Sequence, residues 1–470
     1  YSRNRWNSGH RGSNKADISN CRYPGHFYLL ATYCGHMSET LFYYPALLLA
    51  NLLQAFLFFT GLYYLFLSFR GLGPRPRPPA DPGRRAVFAV MLPAYNEEKV
   101  IAYCLESLVK MDYPPERFDV WLVADHCTDA TAALGEAAGV KVLRYGHADG
   151  PEQGGIARSR CPEFCDGPAG KAHALAWAAG KVMAARRYDA FCYFDADSLA
   201  HPGFLTAMNA RLAAGDKAVQ GRQLSKNKRE GILPRILAAG HCITNRFFQR
   251  PKLALGLSAT LHGKGMCLDA ATAAAFPWDG HSLTEDLELQ MRLARHGVRI
   301  GWSHEAVVYD EEPVTLRQYV RRCVRWTRGA LDTARKHLWG LWKRALLKKD
   351  PRAFEAWLYC AQAYKFAVIL LTAALIYYTR DGFNLIVWFY GVLPGAQAAM
   401  KALALMPLLI YPSAAILLEE EGWDIFAAYF LQPVLAALRL PIFAAGLLRG
   451  RDWWGRTEHS SQVAISELAE

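Results

Sequence analysis

The sequence predicts an α/β domain with a mostly parallel sheet, flanked by transmembrane α-helices. Three observations predict it. Short apolar runs alternate with stretches of helical periodicity between roughly Arg84 and Lys349, the pattern of strand–helix–strand units. Three of those runs end in acid, at Glu97/Glu98, Asp125/Asp129 and Asp195/Asp197. Long apolar stretches lie on both sides of the region and lift the hydrophobic content to 52%, above that of an average soluble chain.

Taken in order, residues 1–36 are polar and basic, lack a signal-peptide core and do not begin with Met. No structure is assigned to them, and Met37 fits a start. Leu41–Phe69 carries no charge and is long enough to span a bilayer, so 37–70 is read as the first span. The linker, 71–85, is rich in Pro, Gly and Arg and semi-stiff. The globular domain runs from 86 to 330. It starts with a run buried on both faces, Ala86–Leu92, and a helix with apolar positions at Val100, Ile101, Leu105 and Leu108. Strand Asp119–Ala124, helix 130–138, strand Val140–Leu143, a loop over about Gly146–Gly170 and helix 171–185 follow. Residues 331–353 mix Leu and Trp with Lys and Arg and read as an interfacial amphipathic helix. Three or four spans are expected over 354–448, from Ala356–Tyr378, Phe383–Met400, Ala402–Leu418 and Ile425–Leu448. A cytoplasmic tail, 449–470, ends the chain.

The formal charge is +12, and its placement matters more than its sum. Arg70, Arg75, Arg77, Arg84 and Arg85 follow the first span; Arg335, Lys336, Lys343, Arg344, Lys348 and Lys349 precede the second. The positive-inside rule then puts the domain in the cytoplasm of an integral membrane protein in a plasma or inner membrane. Lys401 and Arg449–Arg451 read as cytoplasmic, and Glu419–Glu421 as external. This juxtamembrane clustering fits membrane lipids as partners and not nucleic acid.

The densest chemical signal is Phe191–Ser198. An apolar strand ends in Asp195 and Asp197, which face the same way in an extended chain. Two hard oxygen ligands suit Mg2+ or Mn2+, which also takes substrate phosphate. Ligands of open α/β sheets bind at the carboxyl ends of strands. Further on, Gly263-Lys264-Gly265 is a close-approach loop, and Ser282–Glu288 opens a helix running to about His296 with Thr284 as N-cap. Arg322, Arg325 and Trp326 share one face of a basic helix over 315–331. Neither a dinucleotide fingerprint nor a P-loop is present.

Seven pieces in order carry a resemblance. They are Pro93–Glu97, Val123–Asp129, Gly170–Leu175, Asp195-Ala196-Asp197, Gly263–Met266, Thr284-Glu285-Asp286 and Arg322–Trp326. Over roughly residues 85–330 the chain resembles the membrane-embedded inverting glycosyltransferases of family 2, which include cellulose, chitin, hyaluronan and poly-N-acetylglucosamine synthases. The resemblance implies a nucleotide-sugar-binding domain of GT-A type. It implies that Ala94, Tyr95 and Glu97 border the base and ribose, that Asp125 accepts from the base, and that Lys171 and Arg322 lie on the donor. Asp195 and Asp197 would hold Mg2+ or Mn2+. Asp286, beside Glu285, would be the general base. Arg325 would balance diphosphate charge and Trp326 would shape the acceptor site. Simpler readings stand beside these: Tyr95 as packing, Lys171 as solvated, Asp286 as a first-turn carboxylate favoured by the helix dipole, and Trp326 as an interface anchor.

The implied activity is transfer of a hexose or N-acetylhexosamine from a nucleoside diphosphate sugar, UDP-linked by preference, to a growing polysaccharide. One departure bears on the acceptor. Arg322 stands where processive members carry Gln, as in ceramide glucosyltransferases, which add one sugar to a lipid; the nearby Gln318 lies one turn earlier. The alternatives are therefore single-sugar transfer to a membrane lipid and, remotely, a non-catalytic nucleotide-sugar-binding scaffold.

Overall fold

The structure, a computed structural model, describes residues 25–80, 82–146, 168–280, 282–392, 395–419, 422–448 and 459–468. Most of the 146–170 loop, Glu420, Glu421 and the Arg449–Trp454 stretch lie outside the described residues.

Eight strands form one sheet: β1 Phe88–Ala94, β2 Phe118–Asp125, β3 Lys141–Tyr145, β4 Ala190–Tyr193, β5 Leu199–Ala200, β6 Ala218–Ser225, β7 Met266–Asp269 and β8 Ile300–Asp310. Their order is β3-β2-β1-β4-β7-β6-β8-β5. β1 is buried throughout because both faces are covered. Phe88, Val90 and Leu92 pack with Ile101, Leu105 and Leu108 on one side. Ala89 and Met91 pack with Ala174, Leu175 and Ala178 on the other. This is the period-two signature of a strand.

β1 pairs in parallel with β2 and β4, and β2 with β3. Their carboxyl ends therefore share one edge. β7 differs: it runs antiparallel to β4 and β6, with Tyr193 opposite Met266. That reversal brings the Gly263–Gly265 loop, which precedes β7, to the same edge as Asp195. The sheet is thus mixed, with β6 and β8 parallel and β5 and β8 antiparallel.

Helix Lys171–Ala185 has the expected limits. Helix Glu285–His296 ends at Gly297, whose φ of +78° makes the left-handed stop that favours glycine. Thr284 holds the N-cap position, but its hydroxyl does not cap. It turns to Thr333, Oγ1 to Oγ1 at 3.5 Å.

Several expectations are corrected. Residues 315–331 and the amphipathic stretch after them are one 32-residue helix, Leu316–Leu347. It does not lie free of the domain, because Leu331, Ala334, His337 and Leu341 are buried. Trp339, Leu346 and Leu347 remain exposed on its other face. The first helix begins at Gly25, inside the stretch left without structure.

Among the described residues, two helices, Leu41–Leu72 and Pro351–Tyr378, are long and apolar enough to cross a membrane. Trp423–Ala437 with Arg439–Leu448 makes a third if that pair, bent by 41°, is one span. Phe383–Met400 and Ala402–Leu418 instead give shorter pieces, Leu385–Val392, Ala396–Leu405, a π-turn Met406–Ile410 and Tyr411–Leu418. Gly395, at φ +75°, separates the first piece from the rest, which stay helical from Ala396 through the π-turn to Leu418. Glu419 is not an outward marker: it pairs with Arg222 and Arg246 of the globular domain. Finally, residues 459–468 are not a separate tail. Ile465 packs with Leu199, Val307 and Tyr309, and the Ser460 and Ser461 amides donate to Glu311 at 2.8 and 3.2 Å.

Candidate active site

The carboxyl edge is built from tight turns. Asn96 and His126, just past β1 and β2, have φ of 54° and 50°. The Asn96 side chain accepts from the Thr128 amide at 2.8 Å, joining the two turns. Tyr95 and Glu97 are half-buried there. The Glu97 amide donates to Thr131 Oγ1 at 2.8 Å, and Ala94 ends β1 beneath them. Asp125 is buried; its oxygens accept from His126 Nδ1 at 2.6 Å and from the Gly170 amide at 2.9 Å. It therefore ties β2 to the start of the Lys171 helix.

Lys171 is the hub. Its ammonium donates to Asp195 Oδ1 at 2.5 Å and to the Gly263 carbonyl at 3.0 Å, and stands 3.6 Å from Glu285 Oε1. Burial opposes its charge, but Asp195, Glu285 and Asp286 hold it protonated above its ordinary range. Lys264 stands 3.8 Å from Asp195 Oδ2 and pairs with Asp310.

Asp197 is buried, and His459 Nδ1 lies 3.1 Å from its Oδ2. Burial works against ionisation of Asp197, yet His459, Lys264 and Lys226 outweigh it and hold the carboxyl well below the usual range. Asp286 behaves oppositely. Burial, with the charges of Glu285 and Asp195, pushes it up to about 6 against the pull of Lys171 and the Leu287 amide. That amide donates to Asp286 Oδ1 at 2.8 Å. Gly263, at φ +76°, allows the close approach: a Cβ there would lie 3.3 Å from Asp286 Cβ and 3.4 Å from Lys171 Nζ.

The basic helix contributes differently from expectation. Arg322 is buried, bonds Glu312, and lies 4.8 Å from the Trp326 ring centre. His241 Nε2 meets the other Glu312 oxygen at 2.6 Å. Arg322 thus braces Trp326, which is 47% exposed. Arg325 is half-buried and its Nε has no hydrogen-bond partner among the described residues. Gln318 does not replace the missing glutamine; it closes a capping box with Thr315.

The structure thus brings together Lys171, Asp195, Asp197, Glu285 and Asp286. It adds Lys264, Lys226, Glu311 and His459. Lys264 stood in a visible glycine loop, but nothing local to His459 announces that a residue so late in the chain returns to the sheet edge.

Residues 84–329 match the family described as glycosyltransferase like family 2. The chain belongs to this family. It is 26% identical over 247 residues to a beta-monoglucosyldiacylglycerol synthase of Synechocystis sp., a match covering 51% of this chain and 47% of that one. It is 20% identical over 363 residues to a poly-beta-1,6-N-acetyl-D-glucosamine synthase of Staphylococcus epidermidis, covering 76% and 81%. A mannosyltransferase from Pyrobaculum calidifontis, solved with GDP-Man and Mn2+, aligns at TM-score 0.48 and 18% identity, over 82% of this chain and 97% of that one. The chain spans about half the length of the first relatives it matches.

Asp195, Asp197 and His459 meet at this edge, with His459 Nδ1 3.1 Å from Asp197 Oδ2, and the carboxylate oxygens are the donor type that suits Mn2+ or Mg2+. A second acid–histidine group, His241, Asp310 and Glu312, has its ligand atoms within 4.8 Å of one another. Lys264 and Arg322 already satisfy its carboxylates, so it reads as an internal ion-pair cluster.

Proposed function

We propose that the chain is a membrane-embedded, metal-dependent, inverting transferase of GT-A type. It moves a hexose or N-acetylhexosamine from a UDP-sugar. The observation that carries this reading is Lys171 joining Asp195 to the Glu285–Asp286 corner. It sets the Asp195 carboxylate and a buried ammonium beside Asp286, whose proton affinity is raised.

Asp286 takes the proton from an acceptor hydroxyl as that oxygen bonds to the anomeric carbon. The bond from that carbon to the diphosphate breaks in the same step, and the electron pair leaves with the diphosphate. One displacement at one carbon inverts its configuration and needs one base. Lys171 and Lys264 supply fixed positive charge beside Asp195. A divalent ion held by Asp195, Asp197 and His459 would neutralise the leaving diphosphate. Ala94, Tyr95, Glu97 and Asp125 wall the nucleotide end, and Arg325 faces diphosphate charge. The candidate spans would set the domain against a membrane, within reach of a lipid or a growing chain.

The acceptor has two readings. Polysaccharide synthesis accords with the likeness to a poly-N-acetylglucosamine synthase. Single-sugar transfer to a membrane lipid accords with the likeness to glucosyldiacylglycerol synthases, and the commitment of Arg322 to Glu312 favours it. Purified protein with Mn2+ and a panel of UDP-sugars decides, by UDP release and product size. A high-mass product supports a polymer, a small product requiring added lipid supports the second reading, and no release with any donor removes both.

A further inference from the structure

Four arginines converge where the first candidate span meets the globular domain. Arg222 lies on β6, Arg246 in the π-turn Asn245–Gln249, Arg250 at the head of helix Arg250–Ala254, and Arg75 in the linker after Leu72. Arg246 and Arg250 are 6% and 3% exposed. Among the described residues one carboxylate answers them: Glu419 pairs with Arg222 and, at 2.8 Å, with Arg246. Arg250 donates to the Gly73 carbonyl, but its Nε and Nη1 are buried without a hydrogen-bond partner among the described residues, as are the Nε atoms of Arg222 and Arg246. His304, 3.4 Å from Arg222 Nη1, is held neutral by burial and by all four arginines, so it adds no further positive charge.

Guanidiniums buried beyond their counter-charge are costly, and leaving their donors unmet adds to the cost. A bound anion removes both costs. The planar fork of arginine matches a tetrahedral oxyanion, and several forks around one centre are the usual answer to a phosphoryl group. Among the described residues, none of the four pairs with Asp195, Asp197 or Asp286.

We infer that Arg75, Arg222, Arg246 and Arg250 form a binding site for a phosphoryl group. The surrounding elements fix its depth. Gly73 follows the candidate span Leu41–Leu72, and Glu419 ends the apolar helix Tyr411–Leu418. On the membrane reading proposed above, this is headgroup level, and an anionic phospholipid is one source of the group. Free phosphate is the other.

The test uses the purified full chain and follows its thermal unfolding midpoint. The probes are inorganic phosphate, with chloride at matched ionic strength as control, and phosphatidylglycerol in mixed micelles. The site predicts a raised midpoint with at least one probe. Response to the lipid alone assigns the source to the membrane, and response to phosphate alone assigns it to solution. Arg75→Gln, an exposed linker position that leaves the fold intact, should require about tenfold more of the active probe. Arg250→Gln should abolish the response if it folds. No stabilisation by either probe, or an undiminished response in Arg75→Gln, overturns the inference. UDP release measured in parallel keeps the two readings apart. A protein that turns over donor but ignores both probes fails here alone. One protected by a probe but inert with every donor fails the transfer reading alone.

Discussion

The Lys171 ammonium donates to Asp195 at 2.5 Å. This bond joins the glycine turn after residue 168 to the acid at the end of β4. It also places a positive charge beside Glu285, the neighbour of the expected base. Lys171→Gln should lower kcat by about a hundredfold, the scale of losing one charge-stabilising donor. It should also raise the acid-limb midpoint of the pH profile, because Lys171 pulls Asp286 down. A kcat loss with an unmoved midpoint would separate Lys171 from Asp286.

Asp286 is pushed up to about 6, so the activity should fall as pH drops through about 6. The stability consequence has a definite sign. A carboxyl whose folded pKa is raised favours the fold while protonated, and that advantage is lost as pH rises through about 6. Asp286→Asn should therefore stabilise the protein at pH 8 by on the order of 2 kcal/mol, and the gain should vanish below about pH 4. Urea unfolding at the two pH values reads this directly; equal effects at both would contradict it.

His459 reaches Asp197 at 3.1 Å from the far end of the chain. His459→Ala should raise the Mn2+ concentration needed for half-maximal activity by about tenfold or more, as a lost ligand does. The saturated rate should fall less. If half-maximal Mn2+ is unchanged, His459 is only a contact of the C-terminal segment.

Gly329 lies against Thr284 so closely that a Cβ would stand 2.5 Å from Thr284 Cγ2. Gly329→Ala should cost about 1–3 kcal/mol by overpacking, and Thr284→Ala should recover part of it. Thermal unfolding of the single and double variants gives the coupling. Additive losses would mean that the two helices do not meet through this pair.

Arg322→Gln removes the brace from Trp326 and leaves Glu312 with His241 alone. Loss of activity without a change in product length is expected if Arg322 acts by holding Trp326. Longer products would show that this position itself limits chain growth.

Much of the fold was legible because its signals are local. β1 is apolar on both faces, and its helix partner carries a clear stripe. Helix Glu285–His296 ends where glycine permits a left-handed residue. Asp195, Asp197 and Asp286 were legible because motifs in a fixed order surround them. What was hidden depends on distant partners. β7 has four residues and no period to show its reversal. The amphipathic stretch after residue 331 carries an apolar face that suits a bilayer or a protein neighbour equally, and here it meets the neighbour. Glu419 looked like an outside charge because the arginines that neutralise it lie about two hundred residues away, as with Arg222 and Arg246. His459 has the same difficulty, since Lys226 and Glu311 dock its segment from other strands.

The most direct test of the central claim compares donor binding with transfer in Asp286→Asn. Binding of UDP-sugar with Mn2+ is measured by calorimetry, and transfer by UDP release under saturating donor. A base that acts only in the displacement predicts binding within about threefold of the parent and transfer lowered by about a thousandfold or more. Transfer retained within about tenfold would remove Asp286 from the chemistry and with it this account of the site.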